Sequence, residues 1–298
     1  YNYKYEKPFF KKRRKGDVDK LICDNKKSHK ILKWSPKFSD ISKIISDEKK
    51  WVNFINKKKN NSKTNLLMKK LAIVIPVYNE EENIEKVLND WKKVMKKNFF
   101  DIIVINDGSI DKTKSILSKI KRKNSNIKII NKLNGGHGET IYLGYKYAVK
   151  KKYKFIFQVD SDDQFSTTDF NKIWKLRNKP HDLIVGYREN RKDSFIRIFL
   201  SKFILKQFFL IYFKKNLIDA NVPYRLMKHN FLKKFIKKSS KKYIAPNILM
   251  SIFAKDICVL RVKHFQRSKG LINWSTKRLF NFGTRLILDL VAWKKVIS

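Results

Sequence analysis

The segment Phe155-Ile-Phe-Gln-Val-Asp-Ser-Asp-Asp-Gln164 places a mostly apolar run directly before three carboxylates and an amide. A continuous apolar run of this kind is typical of a buried strand of a parallel sheet. Such a strand delivers the polar residues that follow it to the carboxyl edge of the sheet, where open α/β sheets bind their ligands. The segment therefore predicts a ligand site at the end of a buried strand.

The carboxylates of Asp160, Asp162 and Asp163 repel one another unless a cation lies between them. Oxygen ligands in this number suit Mg²⁺ or Mn²⁺, and such ions are commonly shared with substrate phosphates. The alternative is an acidic turn in which Asp163 or Ser166 caps a helix that begins near Thr168. Taken alone, the segment does not separate a metal site from a capped turn.

The composition sets limits on the class of protein. With 298 residues, 42% of them hydrophobic, the chain can bury one substantial core and a smaller unit. Its 70 Lys and Arg residues against 26 Asp and Glu give a formal net charge of +44. The lysines are dispersed over every segment, and no nucleic-acid-binding motif accompanies them. We therefore expect no specific nucleic-acid partner, but attraction to anionic phosphates and to an anionic membrane surface.

The cysteines and the apolar segments bear on the compartment. Cys23 and Cys258 provide neither a disulfide framework nor metal-ligand spacing, and no signal peptide stands at the start. Residues 195–213 are rich in Phe, Ile and Leu but contain three cations, which argues against a membrane-spanning helix. They predict either a buried core helix or, preferred here, a helix in the membrane interface. A cytoplasmic protein, peripheral on the inner face of the cell membrane, is expected.

Strand-like and helix-like segments alternate from residue 71 onwards. The strands are expected at residues 71–76, 102–106, 127–131, 155–160 and 182–186, and the helices at 81–97, 111–121, 139–151 and 168–177. This alternation predicts an α/β fold with a mostly parallel sheet flanked by helices.

Three loops that follow these strands contain residues suited to nucleotide binding. They are Val77-Tyr-Asn-Glu-Glu81, Asn106-Asp-Gly-Ser-Ile-Asp111 and Asn134-Gly-Gly-His-Gly138. Asp107 can accept hydrogen bonds from a base or ribose, and the third loop lets backbone approach a phosphate. Each loop alone is also explained by turn and capping chemistry. Successive strand ends that direct such residues to one edge favour a nucleotide site.

These motifs resemble, in order and spacing, those of family 2 inverting glycosyltransferases. The likeness rests on Ile75-Pro-Val-Tyr-Asn-Glu80, on Ile105-Asn-Asp-Gly-Ser109 and on Asp160-Ser-Asp162, and it covers residues 71–274. It implies a GT-A domain that binds a nucleotide-diphospho-sugar and uses a divalent metal, Mg²⁺ or Mn²⁺. Within the family, the chain most resembles the dolichyl-phosphate mannose synthase-like branch.

The resemblance implies a role for each matched residue on the donor side. The implied metal ligands are Asp160, Asp162 and Gln164. The implied nucleoside contacts are Pro76, Tyr78, Glu80 and Asp107, while the acids and the metal hold the diphosphate. His264-Phe-Gln-Arg267 and Gly270 stand where an active-site loop closes over the donor. Ser161 and Asp163 replace the commoner Ala and Leu of the branch.

The resemblance also implies an acceptor site. Gly186-Tyr-Arg188 resembles the Gly-Ser-Arg element of the branch, and Arg197 with Ser201 resembles a following Arg-x-x-x-Ser. These arginines would bind the phosphate of a polyprenyl-phosphate acceptor. Tyr224-Arg-Leu226 matches a later Phe-Arg-Leu, to which no role is assigned.

Displacement of UDP from an anomeric carbon builds negative charge on the leaving diphosphate. A divalent metal and a basic group, Arg267 or His264, would stabilise that charge. An acceptor phosphate is already an anion and needs positioning more than deprotonation. A saccharide hydroxyl on a lipid-linked or cell-surface glycan instead needs a carboxylate base, for which Asp163 and Asp219 are the candidates. Both acceptors remain open, as does a weaker alternative, a non-catalytic basic binding module.

The N-terminal region carries a second resemblance. Arg13-Arg-Lys-Gly-Asp17, Lys30-Ile-Leu-Lys-Trp-Ser-Pro36 and residues 41–51 are similar to the C-terminal end of UDP-glucose 4-epimerases. There, the residues that match Arg14 and Asp17 contact UDP. The NAD-binding half has no counterpart, and Met68 is where an unfused transferase would start. We expect the later part of an epimerase–transferase fusion, which favours UDP over GDP as the donor nucleotide.

The expected organisation has four parts. They are an epimerase-like fragment (1–55), a linker (56–70), a family 2 glycosyltransferase domain (71–275) and a C-terminal amphipathic helix (276–298).

Overall fold

A computed structural model describes residues 30–31, 42, 45–53, 69–96, 100–189, 205–240, 242–267 and 276–297. The chain divides into two compact units, Tyr1–Asn61 and Ser62–Ser298. In the first unit, residues 45–53 are helical. Arg14 and Asp17, on which the epimerase resemblance depends, lie outside the described residues, as do Arg197 and Ser201.

The first half of the second unit is a regular βα succession. Its strands are β1 (Lys69–Val77), β2 (Asp101–Asp107), β3 (Ile127–Lys132) and β4 (Tyr153–Gln158), and its helices are α1 (Ile84–Lys96), α2 (Thr113–Arg122) and α3 (His137–Lys150). β1 pairs in parallel with β2 and β4, and β2 with β3. The apolar runs of β1 and β2 are fully buried because helices cover the sheet. The predicted strands and helices of this half are confirmed.

The second half is less regular. Its elements are α4 (Phe170–Lys175), β5 (Leu183–Glu189), α5 (Leu205–Phe213), β6 (Arg225–Lys228), α6 (His229–Lys238), α7 (Pro246–Phe253), β7 (Ile257–Lys263) and α8 (Thr276–Ile297). The strand order is β3-β2-β1-β4-β6-β5-β7, with β6 antiparallel to both neighbours. The predicted α/β fold with a mostly parallel sheet is confirmed, and β6 and β7 are additions to it.

Aromatic side chains fix the position of β4 in this sheet. Phe157 contacts Phe170 at 5.0 Å and Tyr224 at 4.8 Å between ring centroids, both edge to face. Trp91 of α1 lies 5.5 Å from the same ring. Edge-to-face pairs of buried rings add stability beyond the area they bury. The strand that ends at the acidic segment is therefore fixed through the ring of Phe157.

Two helices of this unit bear on the membrane predictions. Residues 205–213 of the apolar segment form α5, and the predicted C-terminal helix is present as α8. Within the described part of the chain, no helix combines the length and the apolar character that crossing a bilayer requires.

Candidate active site

The segments that follow β1, β2 and β4 meet at one edge of the sheet. β1, β2 and β4 are parallel neighbours, so their carboxyl ends point the same way. β1 ends at Val77, β2 at Asp107 and β4 at Gln158. The residues after these strands are thereby gathered at one edge of the sheet.

Asp160 and Asp162 form the acidic centre of this site. Burial, followed by the charge of Asp160, raises the pKa of Asp162 to about 7, although the backbone N–H of Gln164 donates to Asp162 Oδ1 at 3.2 Å. Burial is the larger cause of this rise, and repulsion by the charge of Asp160 adds to it. A divalent cation relieves such repulsion, and two carboxylates plus substrate phosphates are an ordinary Mg²⁺ ligand set. The donor set therefore fits the expected ion.

Protein ligands alone do not complete a metal site here. No group of three or more His, Cys, Asp or Glu side chains in the described ranges is arranged to hold a metal ion. Gln164, the third predicted ligand, donates from Nε2 to the Phe265 carbonyl at 3.3 Å. Its amide thus helps to hold the segment 264–267, and further oxygen ligands would have to come from the substrate.

The imidazole of His137 is an unpredicted neighbour of the acids. Its Nε2 lies 3.2 Å from Asp160 Oδ1. Desolvation lowers the pKa of His137, but the negative charges of Asp160, Asp162 and Asp107 outweigh it and raise the pKa above its ordinary value. The side chain remains 56% exposed, so water screens this effect. The sequence signal was its place in the glycine-rich loop, directly before a helix.

Asp163 has a different environment from the two acids before it. Its φ of +59° is left-handed, and its Oδ2 accepts a hydrogen bond from Lys86 of α1 at 2.6 Å. Lys86 also donates to Asp90 at 3.2 Å. Asp163 thus ties the acidic segment to α1, a contact that the sequence did not indicate.

Glu80 and Arg267 are 187 residues apart in sequence but form one ion pair. A terminal guanidinium nitrogen of Arg267 donates to both Glu80 carboxylate oxygens, at 2.9 and 3.0 Å. Asn83 Nδ2 donates to the same carboxylate at 2.8 Å. Burial raises the pKa of Glu80, while these two partners oppose the rise and the charge of Asp160 adds to it. The pair brings the predicted closing loop onto the predicted nucleoside-binding loop.

Backbone pairing also holds the closing loop on the acidic segment. Phe265 N donates to the Gln164 carbonyl at 2.8 Å, and Phe165 and His264 form an antiparallel bridge. The rings of Phe165 and His264 lie 5.1 Å apart. The segment His264–Arg267 therefore lies beside the acids, where the resemblance located it.

Asp107 organises the glycine-rich loop. Its carboxylate accepts from the backbone N–H groups of Gly135 and Gly136, each at 2.9 Å, and from Lys132 Nζ at 2.5 Å. The expectation that this loop offers its backbone to a phosphate needs correcting at these two glycines, because their N–H groups bind Asp107. Lys132, opposite Asp107 in the β2–β3 register, is a second site residue that the sequence did not reveal.

Hydrogen bonds from backbone N–H groups to side-chain oxygens join the loop after β1 to the loop after β2. Ser109 Oγ accepts from Asn79 N at 3.0 Å, and Asn79 Oδ1 accepts from Ile110 N at 3.0 Å. Thr113 Oγ1 accepts from Glu80 N at 2.9 Å. Of the other predicted nucleoside contacts, Pro76 is buried in β1 and Tyr78 is 39% exposed at its end. Tyr78 is thus accessible to a ligand at this edge.

Arg188, predicted to bind the acceptor, is paired with Asp219, predicted as an alternative base. Its Nε donates to Asp219 Oδ2 at 2.8 Å, and a terminal nitrogen donates to Oδ1 at 2.6 Å. Both side chains are largely buried, with 14% and 8% exposed. Arg197, the second predicted acceptor residue, lies outside the described residues.

A family model described as Glycosyl transferase family 2 matches residues 72–246, more than half of the chain. This protein belongs to glycosyl transferase family 2. The family 2 resemblance is thereby confirmed, and the protein is a glycosyltransferase. The alternative of a non-catalytic binding module is not supported.

Curated relatives of this family 2 chain come from bacteria and archaea. An uncharacterized protein of Methanocaldococcus jannaschii is 33% identical over 172 residues, which cover 55% of this chain and 73% of that protein. The undecaprenyl-phosphate 4-deoxy-4-formamido-L-arabinose transferase of Photorhabdus laumondii is 26% identical, over 75% of this chain and 67% of its own. The Bacillus subtilis protein CsbB is 26% identical and is matched over 64% of its length. The chain thus spans about two thirds of the length of these relatives.

Solved structures support the GT-A fold of this family 2 member. Glucosyl-3-phosphoglycerate synthase from Mycobacterium tuberculosis, in a complex with Mn²⁺, UDP and glucosyl-3-phosphoglycerate, has a TM-score of 0.55. The match covers 76% of this chain and 80% of that chain at 12% identity. At so low a sequence identity, the likeness shows the fold alone.

Proposed function

We propose that this glycosyltransferase moves a hexose from a UDP-sugar to a polyprenyl-phosphate acceptor, in a reaction that requires Mg²⁺ or Mn²⁺. The observation that carries this proposal is the pair of adjacent carboxylates, Asp160 and Asp162, placed at the carboxyl edge beside the two predicted nucleoside-binding loops. The family membership and the undecaprenyl-phosphate transferases among the relatives support it.

The donor would bind across the ends of β1, β2 and β4. Tyr78 and Asp107 would contact the nucleoside, with Asp107 also holding the glycine-rich loop in place. Asp160 and Asp162, with Gln164 as a third candidate, would hold the ion on the diphosphate. An ion held by these residues would supply positive charge to stabilise the departing UDP.

The closing segment would complete the donor site. Arg267 is already held at the site by Glu80, so its guanidinium needs little rearrangement to approach a diphosphate. A cation placed in advance stabilises developing charge without reorganising at the moment of reaction. Mn²⁺ and UDP in the complex of the mycobacterial synthase are consistent with this donor chemistry.

Arg188, with Arg197, would hold the acceptor phosphate. A guanidinium binds phosphate through a planar fork of N–H donors, and the phosphate then needs no base to attack the sugar. If the acceptor is a saccharide hydroxyl, a base is required. Both candidates, Asp163 and Asp219, would first have to leave an ion pair, with Lys86 and Arg188 respectively. Arg188 is itself paired with Asp219, so these ion pairs do not separate the two acceptors; the undecaprenyl-phosphate transferases among the relatives support the phosphate acceptor.

A membrane surface would deliver such an acceptor. Leu210 and Ile211 of α5 are 46% and 78% exposed, and Leu288 and Val291 of α8 are 70% and 38% exposed. The two helices are neighbours, since Lys294 Nζ lies 3.8 Å from the ring centroid of Tyr212. Exposed apolar side chains combined with a net charge of +44 suit peripheral contact with anionic lipid on the inner face of the cell membrane.

The epimerase-like N-terminal segment is consistent with a UDP-linked donor. An epimerase upstream would supply a UDP-hexose to the transferase, so a fusion of the two activities remains part of this proposal.

The test is a transfer assay with several radiolabelled UDP-sugars and undecaprenyl phosphate, with Mn²⁺ or with EDTA. Lipid-extractable label that requires Mn²⁺ is the expected result. The variant Asp162→Asn should abolish this Mn²⁺-dependent transfer. The matched change of the next carboxylate, Asp163→Asn, should leave most of the transfer. Transfer to water-soluble saccharides and none to the lipid phosphate would instead establish the hydroxyl acceptor.

A further inference from the structure

Arg225 is a buried cation to which the mechanism above assigns no task. It is the first residue of β6, pairs with Gln158 of β4 and has 0% exposure. Its Nε donates to the Val222 carbonyl at 3.0 Å and one terminal nitrogen donates to the Asn247 carbonyl at 2.8 Å. The other terminal nitrogen donates to the carbonyls of Ala220 and Val222, at 3.0 and 2.7 Å. All of these acceptors are backbone oxygens.

Placing a guanidinium in the protein interior costs free energy even when its N–H groups are bonded. Burial lowers the pKa of Arg225 to about 10, which still leaves it protonated at neutral pH. An apolar residue of similar size would avoid this cost but would leave the carbonyls without these donors. The role of the charge therefore depends on the segments of the chain to which those carbonyls belong.

Two of the three carbonyls, those of Ala220 and Val222, belong to one turn, residues 219–222. Asp219 opens it with a left-handed φ of +49°, and Val222 N donates to the Asp219 carbonyl at 3.1 Å. A residue other than glycine keeps such a φ only where its surroundings fix it. Arg225 binds the turn at Ala220 and Val222, and Ser251 Oγ also donates to the Ala220 carbonyl, at 3.1 Å.

This turn also fixes the orientation of the Arg188 guanidinium. The carboxylate of Asp219 accepts two hydrogen bonds from the guanidinium of Arg188, at 2.6 and 2.8 Å. A two-point contact of this kind sets the plane of a guanidinium as well as its position. Asp219 thus bonds Arg188 directly, and Arg225 bonds two carbonyls of the turn that Asp219 opens.

We infer that Arg225 is a positioning residue of the acceptor site: it fixes the turn 219–222 so that Asp219 orients Arg188 toward the acceptor phosphate. This inference rests on the proposed role of Arg188. It also assigns a task to Arg225 of the Tyr224-Arg-Leu226 motif.

The test measures binding of geranyl phosphate, a water-soluble polyprenyl phosphate, and of UDP with Mn²⁺, both by calorimetry on the full chain. Arg225→Lys and Asp219→Asn should each weaken geranyl phosphate binding about tenfold, the size of one lost charge-assisted hydrogen bond. UDP affinity should stay within about twofold. His229→Asn is the control, since His229 is buried and bonds the Tyr153 carbonyl at 2.9 Å, away from this turn. It should change neither affinity.

A loss of both affinities together in Arg225→Lys would show a general structural role and overturn the inference. If Arg225→Lys does not fold, Asp219→Asn decides, and an unchanged affinity there overturns the inference. The variant Arg188→Ala distinguishes a failure of this inference from a failure of the proposed function. If Arg188→Ala weakens geranyl phosphate binding while the other two variants do not, only the positioning role is wrong. If Arg188→Ala has no effect, or the unmodified protein does not bind the probe, the acceptor role fails and the inference with it.

Discussion

Asp162→Asn is expected to make the metal-free protein more stable at alkaline pH while it removes metal-dependent donor binding. Burial and the charge of Asp160 raise the pKa of Asp162 from an ordinary 3.8 to about 7. A difference of about 3 pKa units, at about 1.36 kcal/mol each, sets an upper limit of about 4 kcal/mol on the cost of ionising Asp162 in the folded state.

The direction of the pH dependence follows from the sign of the shift. The folded state holds the proton more tightly than the unfolded chain, so the free energy of unfolding falls as pH rises from 3.8 to about 7. The amide of the variant carries no charge at any pH. Its advantage over the unmodified protein should therefore be absent below that window and complete above it, at about 2–4 kcal/mol.

Thermal unfolding in EDTA at about pH 4 and about pH 8 measures this difference. For a chain of this size, the variant should melt roughly 5–15 °C higher at the alkaline pH and show little change at the acid one. Added Mn²⁺ with UDP should stabilise the unmodified protein and not the variant. Asp163→Asn serves as the control, because it removes an ion pair with Lys86 and should give no such gain. Equal melting temperatures at alkaline pH would refute the raised pKa of Asp162, to which burial and the charge of Asp160 both contribute.

Three further outcomes are expected. Asp107→Ala should weaken UDP and uridine by a similar factor, about tenfold, since its role is nucleoside contact and support of the glycine-rich loop; calorimetry that finds a loss for UDP alone would contradict this. Arg188→Ala combined with Arg197→Ala should lower transfer to undecaprenyl phosphate about a hundredfold or more but spare slow hydrolysis of the UDP-sugar, as product analysis can show. Ile211→Asp with Leu288→Asp should reduce sedimentation with anionic liposomes and leave UDP affinity unchanged; undiminished sedimentation would argue against these helices as the membrane contact.

The donor half of the fold could be predicted because its signals are local. β1, β2 and β4 each contain an apolar run followed by a polar loop, and parallel pairing brings those loop residues to one edge without further information. Asp160 and Asp162 could thus be placed together from a single segment of sequence.

In the second half, α4 and β5 could be predicted in the same way, but β6 and β7 could not. β6 has only four residues, Arg-Leu-Met-Lys, and its buried first residue is charged, so periodicity gives no sign of a strand. The pairs that shape the site there, Glu80 with Arg267 and Arg188 with Asp219, join distant segments. Such contacts depend on tertiary packing, which no local pattern records.

The order of the donor and acceptor residues along the chain has a consequence for the evolution of the enzyme. The strands whose loops are assigned to the donor lie within residues 69–158, whereas Arg188 and Asp219, assigned to the acceptor, come later in the chain. A recombination event between them, near residues 165–182, would exchange the acceptor residues together with the closing segment His264–Arg267 and keep the remaining donor residues. Of the ion pairs at the site, Glu80 with Arg267 spans that boundary, so hybrids between diverged members of the family should need a matched pair at these two positions.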